Sequence, residues 1–248
     1  MKLVFFGSPE FAIPSLKALH YSSHKILGVV TVPDKRSGRG QKTTSPPIKK
    51  KAQELDYPVY QPLSLKGNNF LSIINNLYPD IFVVVAYRIL PEEIIIIPAQ
   101  GAVNVHASLL PKYRGAAPIH HAILNGEDET GVTTFQITKN IDTGDILLQE
   151  NYKLTKNITT GEASQHLSIL GANLIVKTLD SIVKREIIPI KQDNDVATSA
   201  PKIFSRDCQI NWNKSAKTIH NQIRAFSPHP GAYTYYHNKR IKIYNTKI

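Results

Sequence analysis

Asn104 and His106 stand two residues apart in "GAVNVHAS" (101–108), and Asp142 lies further on, in "IDTGDIL". On a β-strand, residues i and i+2 leave the same face, so an amide and an imidazole would be presented side by side. The Asn104 amide can donate to an oxygen that becomes negative, and His106 can give or take a proton near neutral pH. Asp142, in a turn with Thr143 and Gly144, can orient that imidazole and favour its protonated form. The three together suit transfer of an acyl-type group through a tetrahedral intermediate. The residues alone leave a second reading open, in which Asn104 and His106 cap a buried turn and Asp142 closes a loop.

Ser108 completes a His–Ser–Asp set on paper. It shares the strand face of His106, lacks the G-x-S-x-G elbow that exposes a nucleophile, and runs into a Leu-Leu-Pro turn. Direct transfer to an incoming amine fits the pattern better. His120 and His121 are adjacent rather than four apart, and Cys208 is the single cysteine, so no metal is expected. One cysteine also excludes an intramolecular disulfide and points to a reducing cytoplasm.

A second concentration of chemistry lies in "PDKRSGRGQKTTSPPIKKK" (33–51). Lys35, Arg36, Arg39, Lys42, Lys49, Lys50 and Lys51 gather around two glycines that let a loop approach another backbone closely. Such a loop would meet phosphates, or else form a solvated surface. The formal charge of +11 fits a polyanionic partner, and equally fits plain surface charge.

The elements that must carry these residues alternate as in βαβ units. Strands are expected in "KLVFFG" (2–7), "KILGVVTVP" (25–33), "PVYQP", "DIFVVVAY" (80–87) and "GAVNVHAS". Helices are expected in "SPEFAIPSLKALHYS", "PPIKKKAQELD", "NNFLSIINNLYP" and "GAAPIHHAILNG". "TGVTTFQIT" and "GDILLQENYKL" form two later strands, antiparallel because the link is short. A long helix covers most of residues 159–186. From about 188 to 209 the chain is polar without periodicity and reads as a linker. "NKSAKTIHNQIRAF" is then helical, and "AYTYYHNKRIKIYNTKI" alternates like a hairpin turning at His237-Asn238. No run reaches the roughly 18 apolar residues of a spanning helix, so no membrane is expected, and "MKLVFFGSPEF" reads as a core strand, too short for a signal peptide.

Through these residues and motifs the chain resembles the methionyl-tRNA formyltransferases, within the wider family that uses 10-formyltetrahydrofolate. "FFGSPEFAIPSLKAL", "VVTVPDKRSGRGQK", "VYQPLSLK", "VVVAYRILP", "GAVNVHASLLPKYRGAAPIHHAILNGEDETGVTTFQI", "IDTGDIL", "SAPKIFSRDCQINW" and "IRAFSPHPGAY" follow in the family's order and spacing. The likeness covers nearly the whole chain and is most specific over 101–145. It implies an α/β fold: a Rossmann-like formyltransferase domain with a mostly parallel sheet (1–187), a linker (188–205) and a small, incomplete β-barrel of the oligonucleotide-binding (OB) type (206–248).

By the same resemblance Asn104, His106 and Asp142 are catalytic. Val85, Ala86, Tyr87, Ile89, Leu90, Ser108, Leu109, Leu110, Pro111, Ile141 and Asp142 would wall the folate site. Arg36, Arg39 and Lys42 match the insertion that approaches the acceptor stem of initiator tRNA, which relatives acting on glycinamide ribonucleotide or nucleotide sugars lack. The implied reaction transfers a formyl group from 10-formyltetrahydrofolate to methionyl-tRNA, by a cytoplasmic monomer without metal. Two departures stand out. Arg88 follows Ala86-Tyr87 directly, where the family often has a glycine and one further residue, and the chain stops after a helix and about two strands of the expected barrel. Alternatives are a formyltransferase for an amino sugar or other small amine, a non-catalytic folate- or RNA-binding relative, and a folate hydrolase.

Overall fold

The expected alternation is realised element by element. The computed structural model describes residues 1–37 and 42–248. In chain order the strands are β1 (Lys2–Gly7), β2 (Lys25–Val30), β3 (Lys35–Ser37), β4 (Lys42–Thr44), β5 (Val59–Tyr60), β6 (Ile81–Val85), β7 (Ala102–His106), β8 (Glu129–Gln136), β9 (Ile146–Lys153), β10 (Ala232–Tyr236) and β11 (Lys239–Ile243). The α-helices are α1 (Ile13–His20), α2 (Pro47–Glu54), α3 (Asn68–Asn75), α4 (Glu92–Ile95), α5 (Pro118–Leu124), α6 (Thr160–Val183) and α7 (Ala216–Ala225). Prolines open α2 and α5, where the missing N–H has no helical partner to lose. Thr159 and Glu162 close a reciprocal capping box at the start of α6.

Seven strands form one sheet in the order β5-β2-β1-β6-β7-β8-β9. The first five are parallel, and β8 and β9 are added through antiparallel pairings, so that β8 alone runs opposite to the rest of this sheet. Helices cover both faces, so β1 and β6 read as continuous apolar runs. On one face Leu16 and Leu19 of α1 and Ile175 and Leu179 of α6 pack with Phe5, Val83, Val103 and Val105. On the other, Phe70, Ile74 and Ile94 pack with Phe6, Phe82 and Val84.

Helix α6 fixes the strand that matters most for the site. At Gly171 a Cβ would sit 2.7 Å from Val105 Cγ1, so only glycine lets the helix lie this close to β7. Thr134 and Thr178 share a buried hydrogen bond of 2.8 Å that ties the same helix to β8. By length and composition α6 alone among the described helices is apolar enough to span a bilayer, which the run-length reading of the sequence passed over. Here Ile175 and Leu179 lie against the sheet, while Ile169 and Val183 are exposed.

The stretch 188–205, expected as a linker, runs along the sheet domain in bonded contact. Ile190 exchanges backbone hydrogen bonds with Ile146 at 2.8 and 2.9 Å, and Ala200 N–H donates to Arg114 O at 2.7 Å. Beyond it, Ile223, Phe226 and Tyr233 share a core with Ile119 and Ile123 of α5. The C-terminal part ends as the β10–β11 hairpin, turning at His237 and Asn238, both with positive φ as a two-residue type I′ turn requires.

Gly171→Val should cost about 1–3 kcal/mol of stability, the usual scale for overpacking a filled core, measurable as a lowered urea midpoint with an unchanged slope.

Candidate active site

Ligands of open α/β sheets bind beyond the carboxyl ends of the strands, and the residues singled out by type meet there. On β7, Val103 and Val105 point into the core, so Asn104 and His106 take the opposite face. Both line a cleft of about 570 Å³ together with Tyr87, Ile89 and Asp142. Asp142 arrives from the turn between β8 and β9.

His106 is 6% exposed. Its Nε2 lies 2.9 Å from the carbonyl oxygen of Tyr113. A carbonyl only accepts, so the ring's fixed proton is on Nε2, and Nδ1 is the nitrogen left to the cleft. Asp142 Oδ2 stands 3.7 Å from Nδ1 and accepts the Gly115 N–H at 2.8 Å. The short bond that fixes the imidazole therefore comes from Tyr113, with Asp142 at ion-pair distance on the other side.

Several backbones around the cleft adopt the left-handed conformation that side chains disfavour. Ala86, Tyr113 and Asp142 have φ of +48°, +63° and +52°. Such positions cluster where a site is held under constraint. Gly115, at φ +125°, has no alternative residue: a Cβ there would meet Ala200 O at 2.6 Å.

The expected folate-wall residues divide. Ala86, Tyr87, Ile89, Ile141 and Asp142 line the cleft. Tyr87, Ile89, Leu90, Ile141 and Asp142, with Asn104 and Phe135, also wall an adjoining cavity of about 100 Å³. Val85 instead faces the buried core. Ser108, Leu109, Leu110 and Pro111 line neither cavity. Ser108 Oγ donates to Lys112 O at 2.7 Å, which occupies the hydroxyl, and Leu110 packs with Phe135 and Ile146. The slot between Tyr87–Leu90 and Ile137–Asp142 sets Tyr87, Ile89, Leu90, Ile137 and Ile141 beside the polar Arg88, Lys139 and Asn140, and shares Asn104 and Asp142 with the cleft that holds the His106 imidazole. Arg88, the departure from the family pattern, is part of the slot's lining, and its Nη2 donates to Pro62 O at 3.0 Å and to the Tyr87 hydroxyl at 2.9 Å.

Of the basic segment, Arg36 and Lys42 sit on the paired strands β3 and β4, and Arg39 lies outside the described residues. Lys49 donates to Asp34 Oδ2 at 2.7 Å, and this bond, with one from Gln61, holds the Asp34 carboxyl below its usual range. Lys51 pairs with Glu54. Lys49 and Lys51 thus have acidic partners within the fold.

Sequence reasoning missed four groups. The Tyr113 carbonyl and the Gly115 N–H are backbone atoms, although the Tyr-Arg-Gly that carries them was visible. Gln192, from the presumed linker, bonds the Asp142 turn. His120, which lines the cleft, is kept below the ordinary histidine range chiefly by burial.

Residues 1–179 match the family described as Formyl transferase, and residues 202–248 match its C-terminal domain. The chain belongs to the formyl transferase family. Over its whole length it is 47% identical to a methionyl-tRNA formyltransferase of Pelotomaculum thermopropionicum, covering 79% of that protein, and 47% identical to one of Moorella thermoacetica, covering 80%. The fold resembles an N-formyltransferase from Helicobacter canadensis, solved with folinic acid and dTDP-3-aminofucose. There the TM-score is 0.70 at 25% identity, over 91% of this chain and 80% of that one.

Beneath the formyl transferase cleft, the Tyr113 hydroxyl donates to Glu127 Oε1 at 2.6 Å and accepts from Asn125. Burial and that carboxylate push the phenol up to about 12. The unfolded chain then loses this proton first, near pH 10, so the tyrosine's contribution to stability is full below about 10 and falls as pH rises toward 12. Tyr113→Phe should flatten the decline of the urea midpoint across that window.

Proposed function

We propose that this chain transfers the formyl group of 10-formyltetrahydrofolate to the α-amine of methionyl-tRNA, giving N-formylmethionyl-tRNA for translation initiation, as a monomer in the cytoplasm. The observation that carries the reading is the meeting of Asn104, His106 and Asp142 in one cleft of a chain 47% identical, end to end, to proteins of that name.

The formyl donor supplies an electrophilic carbon on a nitrogen leaving group, and Tyr87, Ile89, Leu90 and Ile141 would hold its ring. The neutral amine adds to the formyl carbon. Asn104 donates its side-chain N–H to the oxygen that becomes negative. His106 Nδ1, which bears no fixed proton, takes the proton the amine releases. Asp142, at 3.7 Å, steadies the imidazolium that results. When the carbon–nitrogen bond to the folate breaks, that imidazolium returns the proton to the departing nitrogen.

Charge supports an RNA partner. Residues 202–248 contain nine Lys and Arg against the single acid Asp207, so most of the surplus of +11 lies in this part. Trp212, Tyr235 and Tyr236 are exposed there, as in surfaces that combine backbone contacts with base stacking. Residues 1–187 carry the chemistry in this reading, and 206–248 with the Arg36–Lys42 segment carry the grip.

His106→Ala should lower formylation of charged initiator tRNA by about two to four orders of magnitude; normal turnover would refute the mechanism. A nucleotide sugar tested beside methionyl-tRNA separates the amino-sugar alternative. Alanine at Arg36, Arg39 and Lys42 together should weaken tRNA binding and flatten its dependence on salt by roughly one unit of slope for each phosphate no longer neutralised, whereas an unchanged slope would reduce the segment to solvated surface.

A further inference from the structure

Asp142 is held from two sides. Its carboxylate accepts the Gly115 N–H, and its backbone carbonyl accepts from Gln192 Nε2 at 2.9 Å. The same Nε2 donates to Gly144 O at 2.7 Å, so one side-chain amide spans both carbonyls of the turn. Gln192 Oε1 in turn accepts from Arg114 Nε at 2.9 Å, and Arg114 Nη1 donates to Asn194 Oδ1 at 3.0 Å. Gln192 is 5% exposed, which keeps water from competing for these bonds.

The turn needs an outside clamp. Asp142 is a non-glycine residue at positive φ, and Gly144 is pressed so hard on β8 that a Cβ would lie 1.6 Å from Gln136 O. A glutamine can hold both carbonyls without bringing a charge to the His106–Asp142 pair, as a lysine or arginine would. The same segment also governs the other half of the site. Thr198 O accepts the Arg114 N–H at 2.8 Å, and Thr198 Oγ1 accepts the Tyr113 N–H at 2.8 Å. Tyr113 is the residue whose carbonyl holds His106. Residues 190–200 are therefore bonded to both turns whose groups meet at the catalytic pair.

We propose that Gln192 is a positioning residue for formyl transfer: by spanning the carbonyls of Asp142 and Gly144 it sets the Asp142 carboxylate against His106 Nδ1. The proposal rests on the reading that Asp142 takes part in that transfer.

Gln192→Met keeps length and bulk and removes both donors. In single turnovers the full chain carrying it should transfer formyl to methionyl-tRNA about tenfold to a hundredfold more slowly, the scale of a small misplacement of a catalytic group. KM for either substrate should change little, and the thermal midpoint should fall modestly because the carbonyls of Asp142 and Gly144 lose a buried donor. Combined with Asp142→Asn, the Met variant should add no further loss, because both changes remove the same function. A wild-type rate in Gln192→Met, or full additivity in the double variant, overturns the proposal. Should the Met variant fail to fold, Gln192→Glu keeps the polar side chain but turns both donors into acceptors, and the same loss and the same non-additivity are expected. If instead Asp142→Asn alone transfers formyl at the wild-type rate, the underlying reading of Asp142 fails, an outcome distinct from failure at Gln192.

Discussion

The hydrogen bond from His106 Nε2 to the Tyr113 carbonyl decides how the rest of the site can work. It fixes the tautomer, and with it which ring nitrogen faces the cleft. Nδ1 is then a proton acceptor in the neutral ring and a donor only once protonated, the sequence of states that the proposed transfer asks of it. Asn104, two residues back on β7, can serve the oxygen throughout because its amide N–H does not change protonation. The division of labour proposed for the two side chains rests on one backbone oxygen.

That oxygen is positioned by structure far from it in sequence. Tyr113 takes a left-handed backbone conformation, and its N–H is held by Thr198. The opposing carboxylate stands on a turn that is itself left-handed at Asp142 and seated on β8 through Gly144. The sheet supplies the rigid edge, with α6 brought onto β7 by the bare face of Gly171, and the loops supply the strained turns. The basic residues concentrate in the C-terminal part, whose core continues into α5 beneath the cleft.

Much of this was legible from residue order. The two-residue spacing of Asn104 and His106 placed both on one strand face, and the apolar run of β6 announced a strand buried on both sides. His237-Asn238 announced its hairpin. What escaped the sequence has physical causes. A carbonyl such as that of Tyr113 leaves no mark in residue type. Gln192 lies where neither a period of 2 nor of 3.6 operates, since its bonds run to other segments, and a polar stretch of that kind reads as a linker. Val85 counted as a pocket wall through the family resemblance, yet strand alternation turns it into the core. Lys49 counted toward a phosphate-binding charge until the fold placed Asp34 beside it.

The most direct test of the account is the protonation of one ring. In protein labelled with ¹⁵N-histidine, with His106 identified by its disappearance in His106→Gln, the ring nitrogen resonances at a pH where the ring is neutral report which nitrogen bears the proton. The hydrogen bond to Tyr113 predicts Nε2 protonated and Nδ1 bare. A His106 ring protonated at Nδ1 instead would contradict it, and with it the role of His106 as the group that takes the proton from the attacking amine.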